Sequence, residues 1–202
     1  MTDRLEQLLK AASPLLNRVD EALATIGAPE GHDVWPELRR VRLLPGDAAR
    51  AVAALHPSAL LDAIPELRAD ARAYADLADA LPSPGSWSGE AADAYEEARR
   101  RAAEHLNGGP DSLGSRMEAT ADLADALTDW MINTRDDLAT VLAEASLSTE
   151  AVTLSGGDHP PDIQAAAAAA IGATLLRTIA DCYDRAEDLL DGSIALQTPL
   201  LV

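Results

Sequence analysis

The sequence predicts an all-α protein, an elongated antiparallel bundle of four or five long helices joined by short connections. Three observations support this fold class. Apolar residues recur at spacings of three and four along most of the 202-residue chain, and no segment alternates with a period of two. Alanine, the residue with the highest helix propensity, is the commonest residue. Phenylalanine is absent and aromatic residues total 3%, whereas strands favour aromatic and β-branched residues.

The N-terminal quarter predicts one helix followed by a broken connector. One apolar face runs through residues 3–26, and Gly27 with Pro29 ends the helix there. Prolines and glycines interrupt the next stretch, which predicts only two short helical pieces, at 36–43 and 47–55.

Longer apolar repeats follow. A heptad-like seam of apolar residues predicts a helix over residues 60–81 that packs against another helix. The turn at 82–89 is too rich in Pro, Gly and Ser to be helical, and a helix over 90–106 follows it. Two further helices are predicted over 116–145 and 162–190.

The break between the helices at 90–106 and 116–145 decides the topology. Asn107-Gly108-Gly109-Pro110 interrupts the backbone, and Ser115 with Glu118 has the form of a capping box that starts a new helix. These features favour a reversal of the chain, in which case Tyr183 would lie far from Trp87. The alternative is a kink, after which the two helices continue in one direction and Tyr183 returns to the Trp87 end.

The same signals suggest one domain overall. Residues 1–57 would form the N-terminal helix and broken connector, residues 58–192 the helical bundle, and residues 193–202 a tail without a readable period. Cys182 is the single cysteine, so the chain has no internal disulfide and no cysteine-based zinc site, as expected of a protein that folds in a reducing cytosol. Because it lies on an apolar seam, we expect it to be a buried structural thiol.

Charge and hydropathy restrict the partners. The net charge of −18 would repel phosphate groups, so nucleic acid and anionic membrane surfaces are not expected partners, whereas a basic or neutral protein is. Residues 163–176 form the longest nearly uncharged stretch, which is shorter than the ~20 residues of a membrane span. The charged N-terminus does not resemble a signal peptide, so export would need another route.

No arrangement of side chains predicts catalysis, a cofactor or a metal. The four histidines lie in separate segments, without the spacing of a metal site. The acidic pairs Asp136-Asp137 and Glu187-Asp188 are helix neighbours whose side chains diverge. We therefore expect a protein that is not an enzyme, and an enzyme that uses scattered acidic residues is the least favoured alternative.

One local motif stands out in the turn at 82–89, where Trp87-Ser88-Gly89 lies between two amphipathic helices. The indole ring can cover the open end of the seam, and a glycine two residues later lets the next helix begin without a Cβ in the way. Ser88 is placed to cap that helix, and Glu90 lies favourably near its positive end.

This motif resembles the turn of the WXG100 (ESX-like) superfamily, small helical-hairpin proteins associated with type VII secretion in actinobacteria and relatives. The resemblance covers residues 60–106. The superfamily's second signature, Y-x-x-x-D/E, matches Tyr183 and Glu187, which one continuous helix would place one turn apart on the same face. The resemblance implies export without signal-peptide cleavage, from the cytoplasm to the cell surface or medium. It also implies Tyr183 and Glu187 as the secretion signal and dimers or fused hairpins as the assembled form.

The chain is about twice as long as a single-hairpin member, so a fused pair is the form that would fit. The alternative is a cytosolic adaptor or chaperone whose exposed helical face binds a partner helix. In that protein Trp87 and Gly89 would only close a turn, and Tyr183 would have no role in export.

Overall fold

The computed structural model describes residues 3–156 and 159–196, and the regular structure in these residues is helical. The predicted all-α class is confirmed. The finer prediction of four or five long helices is not confirmed, because the described residues form ten helices that range from 4 to 34 residues. The helices are α1 Arg4–Thr25, α2 Val34–Val41, α3 Pro45–Ala53, α4 Ser58–Leu61, α5 Ala63–Asp79, α6 Glu90–Asn107, α7 Leu113–Ser146, α8 Thr149–Gly156, α9 Pro161–Asp184 and α10 Glu187–Leu196.

The helices fall into two compact units, each of which combines segments that are distant in sequence. Unit 1 comprises Met1–His56 and Asp129–Glu187, and unit 2 comprises Pro57–Thr128 and Asp188–Val202. Helix α7 contributes its first half to unit 2 and its second half to unit 1.

Helix α9 forms the centre of unit 1 and packs against α1, α2, α3 and α8. Alanine and glycine allow these helices to approach it closely. At Gly172, a Cβ atom would lie 3.1 Å from Pro45 Cγ and 3.2 Å from Leu23 Cδ1. Four of the six alanines in the run at 165–170 are buried, so close packing inside unit 1 accounts for most of that run.

The stretch Pro161–Ile194 is long and apolar enough to cross a membrane when judged by length and composition alone. Its most apolar part is 61% buried inside the molecule. Helix α9 supplies most of this stretch, and the core helix of a water-exposed domain has the same hydropathy and burial. The stretch is therefore weak evidence for a membrane span.

An N-terminal contact joins three helices of unit 1. Asp3 caps α1, and its Oδ1 accepts a hydrogen bond of 2.8 Å from the Leu5 N–H. Its other carboxylate oxygen lies 2.6 Å from the guanidinium of Arg135, a buried residue of α7. Arg135 also donates to the carbonyl oxygens of Ala53 and Leu55, which satisfies acceptors at the C-terminal end of α3.

Unit 2 is built on the antiparallel pair of α5 and α6. The Tyr95 hydroxyl of α6 donates a hydrogen bond of 2.8 Å to the Pro82 carbonyl oxygen, just beyond the end of α5. At the other end of the pair, a Cβ atom on Gly114 would lie within 3.4 Å of the carbonyl oxygens of both Ala71 and Leu106. This close approach explains why a glycine occupies the first turn of α7.

The contacts of α7 within unit 2 show the direction of the chain after the break at 107–110. Gly114 lies against Ala71, and farther along α7 both Asp122 and Asp125 pair with Arg68, which precedes Ala71 on α5. Because α7 advances toward the N-terminal end of α5, it runs antiparallel to α5 and in the same direction as α6. The predicted reversal is therefore wrong, and the break displaces the helix without turning it back.

The start of α7 and the presence of α8 also differ from prediction. Helix α7 begins at Leu113, and the Ser112 hydroxyl accepts from the Ser115 N–H, so Ser115 is not the cap. Helix α8 was not predicted, although Ser148 caps it by accepting from the Ala151 N–H at 3.1 Å. The connection between the helices predicted over 116–145 and 162–190 includes residues 157 and 158, and the tail predicted at 193–202 includes residues 197–202. Residues 157, 158 and 197–202 lie outside the described residues.

Candidate functional site

The Trp87 turn connects α5 to α6 and exposes an aromatic side chain. Trp87 is 49% exposed, and its ring centroid lies 5.5 Å from that of Tyr95 on α6, with the ring planes tilted by 50°. The hydrogen bond from Tyr95 to Pro82 fixes the ring against which Trp87 packs. One side of the indole therefore rests on unit 2, while the other is available to a partner.

Gly89 allows α6 to begin directly after this tryptophan. It occupies the N-cap position with φ +101° and ψ −177°, a backbone conformation that is essentially restricted to glycine. Its carbonyl oxygen accepts from the N–H groups of Ala92 and Asp93 at 2.9 and 3.1 Å. The predicted role of Gly89 thus has a definite basis, which is backbone conformation and not space for the indole, because no atom lies within 4 Å of a Cβ placed there.

Ser88 does not cap α6, contrary to the sequence-based expectation. The cap residue is Gly89, and α6 has no side-chain hydrogen bond at its N-cap. Glu90 and Asp93 lie in the first turn of α6, where negative charge favours the positive end of the helix.

Tyr183 belongs to unit 1 and lies in the last turn of α9. Its side chain is 42% exposed, and its ring centroid lies 6.3 Å from that of Trp130 on α7. Trp130 is fixed in turn, because its indole N–H donates a 2.7 Å hydrogen bond to the Cys182 carbonyl oxygen. The tyrosine ring is thus supported on one side and open to solvent on the other.

Glu187 is the first residue of α10 and does not continue the helix of Tyr183. A turn at Arg185 and Ala186 separates α9 from α10, and the Ala186 N–H donates to the Tyr183 carbonyl oxygen at 2.9 Å. The single helix predicted over residues 162–190 is therefore interrupted between Tyr183 and Glu187. Both side chains are exposed.

Arg185 holds this helix end against α7. Its guanidinium lies 2.7 Å from Asp137 Oδ2 and 2.9 Å from the Cys182 sulfur. The hydrogen bond with Asp137 is the main cause that raises the pKa of Arg185 above its usual value, and the Cys182 contact adds to it. Cys182 itself is 1% exposed, as predicted for a structural thiol.

The other polar side chains of the described residues show no arrangement that indicates catalysis or metal binding. No group of three or more His, Cys, Asp or Glu side chains in residues 3–156 and 159–196 could hold a metal. The buried carboxylate of Glu37 pairs with Arg40 at 2.8 Å and with Arg177 at 3.5 Å, which ties α2 to α9.

Two features of these sites were not predicted from the sequence. The Trp130 ring beneath Tyr183 lies 53 positions away along the chain, and helical periodicity does not indicate which helices become neighbours. The buried Arg135 was likewise missed, because arginine is rarely buried and its partners are backbone carbonyl oxygens that leave no pattern in the sequence.

In comparisons with known proteins, no family model, no curated protein and no solved structure matches this chain.

Proposed function

We propose that this chain is a non-enzymatic helical protein of the WXG100 (ESX-like) type, exported by a type VII secretion system without signal-peptide cleavage. The observation that carries the proposal is the turn between α5 and α6. It joins two antiparallel helices, exposes Trp87 against the Tyr95 ring and places Gly89 at φ +101°, where only glycine fits well. A W-x-G sequence in this setting has a structural reason for each of its two specified residues.

Tyr183 and Glu187 are the export determinants in this proposal. Both are exposed, and the Trp130 ring packs against the tyrosine at a tilt of 41°. A receptor would contact both residues at the junction between α9 and α10. The partner is the secretion machinery or another helical protein, including a second copy of this chain, and the protein passes through the cytoplasm to the cell surface or the medium.

The proposal includes the shape that the sequence predicts, an elongated antiparallel bundle of four or five long helices. Its support is that five helices in the described residues have 17 or more residues and that α5 and α6 are antiparallel. Small-angle X-ray scattering tests the shape. An elongated distance distribution is expected, and a spherical one would contradict it.

The test of export measures the protein in culture filtrate and lysate of its host, in wild type and in a strain that lacks the secretion ATPase. Tyr183→Ala is compared with Tyr74→Ala, a matched control because Tyr74 has Ala78 and no acid four residues later. We expect wild type and Tyr74→Ala in the filtrate, and loss of filtrate protein with Tyr183→Ala or without the ATPase. Wild-type protein confined to the lysate would contradict the proposal.

The second candidate is a cytosolic adaptor or chaperone that binds a partner helix. The turn between α9 and α10 favours it, because this turn separates Tyr183 from Glu187, whereas the secretion signature implies one continuous helix. In this candidate Trp87 closes a turn, and the protein stays in the lysate whether or not Tyr183 is changed.

A further inference from the structure

An apolar groove on unit 1 lies between the end of α7, α8 and the N-terminal half of α9. It consists of two adjoining depressions of about 280 and 250 Å³ that share Glu150 and Ala170. Small side chains of α9 form part of its lining, at Ala166, Ala170 and Thr174, which recur every four residues along one face. The groove therefore follows the α9 axis.

The length of the groove matches a short helix. Its α9 lining extends from Ile163 to Thr174, which is about 16 Å at 1.5 Å per residue, or about three helical turns. Alanine side chains let a second helix axis approach closely. Ile163 is 46% exposed there, so apolar surface in this groove is open to solvent.

The charges around the groove are of one sign. Glu144 and Glu150 line it, and no lysine or arginine does. Within residues 3–156 and 159–196 neither carboxylate forms an ion pair with a basic side chain. By contrast, the carboxylates near α2 and the end of α9 are neutralised by Arg40, Arg177 and Arg185.

We propose that this groove binds an amphipathic helix of another protein, with apolar residues at i, i+4 and i+7 and with lysine or arginine beside them. Apolar anchors of that spacing would occupy the two depressions in succession, and the basic residues would reach Glu144 and Glu150. Charge argues against a second copy as the occupant, because each chain carries −18. The inference does not rest on export and is independent of Trp87 and Tyr183.

The test uses four fluorescein-labelled amphipathic peptides of about 14 residues, enough for about four turns. They share a lysine and glutamine background and carry leucine, valine, methionine or alanine at the anchor positions. Fluorescence anisotropy measures their affinity for the full chain. Ala166→Arg fills the groove, and Ala51→Arg, at an exposed alanine of α3, is the matched control that adds the same charge. Circular dichroism checks that each variant keeps the wild-type helical content.

We expect at least one peptide to bind, and Ala166→Arg to weaken it by about tenfold or more while Ala51→Arg changes the affinity by less than about twofold. Glu144→Gln should weaken binding more than Glu66→Gln, an exposed acid of α5 that tests general attraction to an acidic protein.

Equal effects of Ala166→Arg and Ala51→Arg, or no binding by any of the four peptides, would overturn the proposal. Wild-type self-association that Ala166→Arg abolishes would also overturn it, because the occupant would then be a second copy. Ala166→Arg is expected to reach the culture filtrate as wild type does, so the failure of this proposal and of the export proposal can be told apart.

Discussion

The two units of this molecule differ sharply in how much apolar volume they bury. The described residues of unit 1 contain a continuous core of 24 buried apolar residues, and the leucines buried most completely belong to it. Among the described residues of unit 2, the buried apolar side chains are Ile64 and four alanines. A heptad-like seam is therefore not sufficient for a core. Leu60, Leu67, Tyr74 and Leu81 of the α5 seam stay only half-buried.

Partner helices explain this contrast. In unit 1, α9 packs against α1, α2, α3 and α8, whereas in unit 2 α5 packs against α6 and the first half of α7. Unit 2 also contains surface ion pairs, such as those of Arg68 with Asp122 and Asp125, but pairs of this kind each contribute little stability. The exposed Trp87 lies in this thinly packed unit, so its turn is easily reached by a partner but weakly supported by a core.

The largest expected effect comes from removing a core leucine of unit 1. Leu175 is 0% exposed in the middle of α9, so Leu175→Ala should lower the free energy of unfolding by about 3 kcal/mol. The matched change in unit 2, Leu67→Ala, should cost about 1 kcal/mol, because Leu67 is half-buried. Urea unfolding followed by circular dichroism measures both, and equal losses would remove the contrast between the units.

Replacing the buried arginine of unit 1 should have the next largest effect. Arg135→Met leaves the carbonyl oxygens at the end of α3 and the Asp3 carboxylate without their donor, which should cost about 2 kcal/mol. Arg101→Met, on an exposed side chain of α6, is the control and should change stability by less than about 0.5 kcal/mol. If thermal unfolding shows the same loss for the two variants, Arg135 does not hold α1 to α3.

In unit 2 the expected effect arises from the backbone. Gly89→Ala forces a side chain into a conformation with φ +101° and should cost about 1.5 kcal/mol, with the loss seen as a lower melting temperature. Gly109→Ala is the control, because Gly109 has no positive φ and no atom lies within 4 Å of a Cβ placed there. An unchanged melting temperature for Gly89→Ala would mean that the turn relaxes without cost.

The smallest effect depends on pH. The side-chain hydrogen bond from Arg135, with the N–H groups of Leu5 and Glu6, holds the pKa of Asp3 below its ordinary value of 3.8. Because the folded-state pKa is depressed, Asp3 contributes stability above its unfolded pKa and loses it as the pH falls through the folded-state pKa.

Asp3→Ala should therefore cost about 1 kcal/mol at neutral pH. The difference from wild type should shrink as the pH falls below about 4. Urea unfolding at a series of pH values checks this, and a difference that grows on acidification would contradict the assigned sign.

The sequence predicts most helices of this fold because their apolar spacing is a local property. Residues 3–26 and 90–106 become α1 and α6 within one or two residues at each end. The end of α9 was missed because Arg185 and Ala186 are good helix formers and neither is a glycine or proline. The direction of α7 was also missed, since the close approach of Gly114 to Ala71 is a long-range contact.

The site residues also divide into those specified by neighbouring residues and those positioned by tertiary packing. Trp87 and Gly89 were predictable because a turn and its glycine are specified by neighbouring residues. The support of Tyr183 was not, because Trp130 reaches it through tertiary packing. The groove beside α8 could not be foreseen, since the pattern of alanines in α9 does not indicate which of them stay uncovered.

Hydrogen exchange of the full chain, followed by mass spectrometry of its peptides, tests the contrast between the units most directly. The account predicts that amides in α1 and the middle of α9 exchange only with global unfolding, while those in α5 and α6 exchange faster by orders of magnitude. Equal protection of α5, α6 and α9 would contradict it, because the thinly packed unit would then be as stable as the core that surrounds α9.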